Sequence, residues 1–141
     1  MPNAYWLGLT IYGISFVLVA LGWTSLSPDT KFFGFYCASF SFFYPWVEAR
    51  DVLFHHVPPL FGPLAYISLL VSGWINPLFI FVALLDWADS QQRLASILRK
   101  VILAMIPFAW LFSFYAIRTF PREGHFLWII GMLFTLYPRQ F

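Results

Sequence analysis

The chain has 141 residues, 61% of them hydrophobic and only 10% charged. Soluble globular domains carry about 25% charged residues, so this composition leaves too little charge to cover a water-facing surface. It is also the opposite of the low-hydrophobicity, high-charge composition of disorder. The net charge of +2, with no basic patch beyond Arg93, Arg99 and Lys100, argues against a nucleic-acid partner. The length leaves room for one domain.

Four apolar stretches separated by short polar breaks predict an all-α integral membrane protein. The first, Tyr5–Trp23, is 19 residues, about 28 Å as a helix, against a hydrocarbon core about 30 Å thick. Tyr5 and Trp6 at one end and Trp23 at the other have the placement of an interfacial aromatic belt. No Lys or Arg precedes it and no Ala-x-Ala site follows it, so it reads as a retained span rather than a cleaved leader. Pro28, in the polar run Thr24–Lys31, marks the break after it.

Phe32–Val47 is apolar but only 16 residues long, about 24 Å. It holds six Phe and two Tyr before Trp46, and Pro45 lies near its end. Such an aromatic run predicts an interfacial or re-entrant segment rather than a fifth span. Glu48, Arg50 and Asp51, then His55, His56, Pro58 and Pro59, read as a polar, kinked connection.

Leu60–Trp87 is 28 residues, up to about 42 Å, so it spans tilted or kinked. Pro63 suits its first turn. Pro77 has no N–H, which deprives the Gly73 carbonyl of its helical partner and predicts a kink. Asp86–Lys100 is the clearly water-facing connection, with Asp89 or Ser90 as N-cap of the next helix. Leu94, Ile97, Leu98 and Val101 form its apolar side as it runs into the span Val101–Phe120, where Pro107 predicts another kink. After a tight loop over Thr119–His125, Phe126–Tyr137 is 12 residues, about 18 Å. It crosses a thinned bilayer or is shielded by partners.

Arg93, Arg99 and Lys100 place the Asp86–Lys100 connection in the cytoplasm. Four spans then put both termini inside, with the long Thr24–Pro59 connection outside.

Ser68, Ser72 and Asn76 share one helix face at i, i+4, i+8, beside Gly73 and Pro77. In lipid, small and polar residues so spaced let helices approach and hydrogen-bond across the interface. A polar pathway or substrate site at the Pro77 kink is the alternative. Gly131-x-x-x-Thr135 and Ala109-x-x-x-Ser113 offer similar small faces.

His55, His56 and His125 are the candidate haem or chlorophyll ligands, although no metal motif surrounds them. Adjacent helical residues point about 100° apart, so His55 and His56 do not share one ion easily. Otherwise all three are boundary histidines. The lone Cys37 makes no intrachain disulfide and reads as a small apolar packing residue. Glu48, Arg50 and Asp51 pair locally or dock a partner, and Asp86 is a solvated end charge. No ionisable residue falls deep in a predicted span, which argues against a transporter or pump acting alone. No nucleophile stands beside a base, so no catalytic residue and no enzyme is expected.

From Leu60 onward, Trp74-Ile75-Asn76-Pro77-Leu78 lies in a span, and a short basic loop and a Leu- and Ala-rich span follow. Pro121-Arg122-Glu123-Gly124-His125-Phe126-Leu127-Trp128 then opens the last helix. This resembles a loose group of small four-span bacterial inner-membrane proteins of unknown function. The resemblance implies four spans with both ends in the cytoplasm, and it brings no activity. The expected function is a non-enzymatic accessory or scaffold subunit of a larger membrane complex, with lipids and other membrane subunits as partners. A membrane-embedded defence or toxin-immunity protein, and a haem- or chlorophyll-binding subunit, are the alternatives.

Overall fold

The structure is a computed structural model, and it describes residues 3–22, 31–56, 58, 60, 62–89, 91–111 and 120–137. These residues are predominantly helical. Helix α1 covers Asn3–Ser15, α2 Gly34–His55, α3 Pro63–Gly73, α4 Ile75–Trp87, α5 Gln92–Leu111 and α6 Glu123–Leu136. Three short strands, β1 (Val19–Gly22), β2 (Lys31–Phe33) and β3 (Phe120–Pro121), form an antiparallel sheet in the order β2-β1-β3.

Helix α1 stops at Ser15, short of the helix expected to Trp23, which itself lies outside the described residues. The 13 residues of α1 reach about 20 Å. Phe16, Val17 and Val19 are aromatic and β-branched, types that favour extended backbone. The chain leaves the helix through Phe16 N–H to Gly13 O and Val17 N–H to Ile14 O. Its backbone groups are then satisfied by the returning chain, with Leu18 O accepting from Gly34 and Phe16 O from Phe35. The strand register Val19↔Phe33, Leu21↔Phe32 is interrupted at Ala20. The Ala20 carbonyl instead accepts the Arg122 N–H at 2.8 Å, which ties the first connection to the last.

The segment expected over Phe32–Val47 is helical and runs past its expected end. Helix α2 is continuous for 22 residues, about 33 Å, and carries on through Pro45 and Glu48. Pro45 removes the N–H that Ser41 O would have accepted. A Cβ on Gly73 would overlap that same Ser41 carbonyl oxygen. The backbone of α2 is thus met by the bare backbone of α3 where its own helical bond is missing.

Pro63 opens α3 at its first turn. The helix breaks at Trp74 before resuming as α4, three residues ahead of Pro77, where the missing N–H predicts a break. Together Pro63–Trp87 spans 25 residues. Helix α5 begins at Gln92, after Asp89 and Gln91 with φ of 48° and 51°. Asp89 accepts from the Gln92 side chain at 3.2 Å; Ser90 lies outside the described residues. Pro107 sits inside α5.

One side of α5 is packed, and of the four residues expected on its apolar side only Leu98 joins it. Ala95 and Ile102 are fully buried, with Leu98, Met105, Ile106 and Ala109 against the same core. Leu94, Ile97 and Val101 are exposed. Ala95 is small enough to bring α5 close to its neighbours, which selects its stripe over the bulkier one a rotation away. The main core joins Tyr12 of α1, Ile75, Phe79 and Val82 of α4, this stripe of α5, and Met132 and Leu136 of α6. A smaller cluster joins Ala65 and Leu69 of α3 to Phe40 and Tyr44 of α2.

Among the described residues, two helices are long and apolar enough to cross a membrane, Pro63–Trp87 and Gln92–Leu111.

Candidate functional site

Helices α1 and α6 cross antiparallel with almost nothing between their backbones. A Cβ at Gly8 would lie 2.6 Å from Thr135 N and 2.8 Å from Gly131 O, and one at Gly131 would lie 2.5 Å from Tyr12 N. Thr135 is fully buried, and its hydroxyl donates back to Gly131 O at 2.8 Å. Gly131 and Thr135 therefore pack on Gly8 and Tyr12 of α1.

Asn76 is the polar centre of this bundle. Its Oδ1 accepts from the Tyr12 hydroxyl at 2.9 Å and from Trp128 Nε1 at 2.8 Å. One side-chain oxygen thus joins α1, α4 and α6, using both acceptor lone pairs. Of the three residues expected on one polar face, Asn76 alone reaches another helix. Ser72 Oγ donates to Leu69 O of its own helix at 3.0 Å. Ser68 Oγ is buried and has no hydrogen-bond partner among the described residues. Ala109 packs against the main core, and Ser113 lies outside the described residues.

The structure does not bring the three histidines together. His55 ends α2 and His56 caps it with φ 53°; both are exposed. His125 is 8% exposed, and its Nε2 lies 2.5 Å from Trp110 Nε1. An indole N–H only donates, so His125 Nε2 is the acceptor and the ring is neutral. Its Nε2 lone pair is thereby engaged, and a metal could take that nitrogen only by displacing Trp110. No group of three or more His, Cys, Asp or Glu able to hold a metal ion occurs among the described residues.

Two acidic residues have settings their sequence positions did not announce. Glu48 is buried at 6% exposure, and its Oε1 accepts the Leu60 N–H at 2.7 Å. It closes the turn between α2 and α3 rather than pairing with Arg50, which bonds Asp51. Asp86 is paired with Arg99 at 2.5 Å, with side chains 10% and 22% exposed. It is an internal clasp between α4 and α5, where a solvated end charge was expected. At the opposite end, Arg122 pairs with Glu123 at 3.0 Å in the open. The guanidinium hydrogen bonds hold the Glu123 carboxyl below its usual range and raise Arg122 in return.

An open groove of about 320 Å³ runs between α1 and α4, from Trp6 and Trp87 to Tyr12 and Phe79. Both phenols on its walls are engaged, Tyr5 with Ala83 O at 2.9 Å and Tyr12 with Asn76.

Sequence reasoning marked Asn76, Gly131 and Thr135 but missed their partners Gly8, Tyr12 and Trp128. The spacing of Gly8 and Tyr12, four residues apart, was the available signal. No family model, no curated protein and no solved structure matches this chain.

Proposed function

We propose that this chain is a multi-pass membrane protein that serves as a non-enzymatic accessory subunit of a larger membrane assembly. The observation that carries the reading is the exposure of its apolar helices. A soluble protein buries its most apolar helices, yet only 11% of the apolar window of Gln92–Leu111 and 44% of that of Pro63–Trp87 are buried. Phe35, Phe43, Trp46, Leu53 and Phe54 are exposed along α2. Soluble monomers seldom expose apolar patches of more than a few hundred Å². Lipid and neighbouring helices are the surroundings in which these faces cost nothing.

Four crossings with both termini in the cytoplasm of a bacterial inner membrane is the topology favoured. Tyr5 meets Ala83 and Gly8 meets Thr135. The start of α1, the end of α6 and the α4–α5 connection, with Arg93 in the first turn of α5, therefore lie at one end of the bundle, which suits the positive-inside bias. Helices α1 and α6, with 13 and 14 residues, reach only about 20 Å, short of the hydrocarbon thickness. Thinned bilayer or neighbouring subunits would complete them, which favours an assembly partner.

The test is purification of the tagged protein from its native membrane in mild detergent, with mass spectrometry and an absorption spectrum. Stoichiometric membrane subunits are expected. A colourless protein alone, or only a homo-oligomer, refutes the accessory reading. A visible band lost on substitution of His55, His56 or His125 would instead give the chain a pigment.

A further inference from the structure

Helix α6 lies along α1, whereas α5 lies against α3 and α4. Side-chain hydrogen bonds tie these two groups of helices at three levels. Tyr5 of α1 reaches Ala83 O near the end of α4. Asn76 takes Tyr12 and Trp128 in the middle. Trp110, near the end of α5, donates to His125 at the start of α6.

The third level differs from the others in its acceptor. A backbone carbonyl and a side-chain amide oxygen keep their lone pairs at physiological pH, whereas imidazole takes a proton between about pH 5 and 8. Once His125 Nε2 carries a proton it has no lone pair left, and it faces the Trp110 N–H as a second donor.

The surroundings do not make up for that loss. His125 is the third residue of α6, and the open N–H groups of a helix's first turn disfavour a cation there. The rings beside it are Trp110, Phe126 and Trp128, with centroids 6.0, 6.5 and 5.3 Å away. Indole faces attract a cation, but at 8% exposure an imidazolium gives up its hydration to meet them. The carboxylate of Glu123 is already paired with the cation Arg122. Among the described residues, α4 brings only Asp86, which is clasped by Arg99, and α1 brings Tyr5 and Tyr12, which are both bonded. Arg93, Arg99 and Lys100 precede Trp110 on α5 by about 15 Å or more. Strands β1 and β3 carry no ionisable side chain, and Arg118 lies outside the described residues. Arg122 and Glu123 are open to solvent, so water reaches this end of the bundle.

We propose that the Trp110–His125 bond is an acid-operated latch. A proton taken from water at His125 Nε2 releases the end of α5 from the start of α6, and the Asn76 and Ala83 levels stay closed. The crossing of Gly8 on Gly131 holds no titratable group, so α6 remains on α1. The latch needs only this fold and not the accessory role. On the topology proposed above it faces away from the cytoplasm.

The test is amide hydrogen exchange of the full-length protein in mild detergent micelles. Rates at about pH 8 and about pH 5 are compared after correction for the intrinsic rate. Opening linked to one proton changes up to about tenfold per pH unit, so amides 108–111 and 126–129 should exchange at least about tenfold faster in acid. Amides 132–135 should hold. His125→Gln keeps an acceptor that does not titrate and should exchange slowly at both values. Trp110→Phe removes the donor and should exchange fast at both. The exposed pair His55→Gln with His56→Gln should behave as wild type. Equal wild-type rates at the two values, acid acceleration that persists in His125→Gln, or slow exchange in Trp110→Phe at the higher value would overturn the latch. So would equal acceleration along all of α6, which is general unfolding rather than release of one end.

Discussion

Adding one methyl group at Gly131 should separate α1 from α6. The new Cβ would lie 2.5 Å from Tyr12 N, 2.8 Å from Tyr12 Cα and 2.9 Å from Gly8 O. All three are backbone atoms of α1, so no rotamer change relieves the clash. Ordinary contact begins at 3.4 Å, so the helices must part by about 0.9 Å at a crossing packed to interior density. Overpacking of this kind costs about 1–3 kcal/mol, while replacing a helical glycine by alanine returns about 0.5–1 kcal/mol through backbone entropy. A net loss of about 1–2 kcal/mol is expected for Gly131→Ala. Gly8→Ala meets the Thr135 and Gly131 backbone from the other side. Once the helices have parted for one methyl the second costs less, so the double variant should lose less than the sum of the singles. Gly13 is the control, because nothing lies within 4 Å of its Cβ position. The assay is unfolding in mixed detergent micelles followed by far-ultraviolet circular dichroism. A wild-type midpoint for Gly131→Ala, equal losses at Gly13 and Gly131, or strict additivity of Gly8→Ala and Gly131→Ala would refute the reasoning.

Asn76→Leu removes the acceptor of two donors at once, and an orphaned buried donor costs about 1–3 kcal/mol. Asn76→Asp keeps an acceptor oxygen at the Oδ1 position and should retain the Trp128 emission maximum that Asn76→Leu shifts. Trp110→Phe and His125→Phe should each weaken the junction of α5 and α6, and the double variant should cost less than their sum, measured as a double-mutant cycle of unfolding midpoints; an additive result would show that the Trp110–His125 bond contributes nothing. The depressed pKa of Glu123 means that its stabilising contribution is present above the ordinary carboxylate range and is lost as pH falls through the lower folded value. Both groups of that pair are open to solvent, so Arg122→Gln should return the Glu123 titration toward its ordinary midpoint by NMR while scarcely moving the unfolding midpoint. Asp86→Ala strands the partly buried Arg99 and should destabilise the α4–α5 hairpin far more than Asp51→Ala, which frees a mostly exposed Arg50.

Legibility varied with how far each signal reached along the chain. Local signals read well. Pro63 opens a helix and the break before Pro77 falls at Trp74, because a missing N–H acts on its own turn. The polar break over Asp86–Lys100 was read from its polarity, although α5 already begins within it at Gln92, and the short last helix was read from its length. The Asn76 oxygen was marked as a polar residue on an apolar helix, but its donors lie 64 and 52 residues away, beyond any periodicity. Glu48 looked like one member of a charged cluster, and only the return of the chain at Leu60 showed the N–H that it caps. His125 sits beside Glu123 in sequence, yet its Nε2 is engaged by Trp110 from another helix.

By itself the sequence determined the class: strongly apolar helices divided at prolines and polar breaks. Composition and period are properties of the chain alone, so they need no partner to be read. The tertiary structure decided where helices begin and end when propensity was weak, as at Ser15, where a strand partner satisfied the backbone instead of a further helical turn. It extended α2 through Pro45, chose Ala95 and Ile102 over Leu94 and Val101 as the packed face of α5, and set Gly8 against Gly131. Each of these is a choice between near-equal local options. The balance is tipped by which backbone or side chain a distant segment brings within a few ångströms.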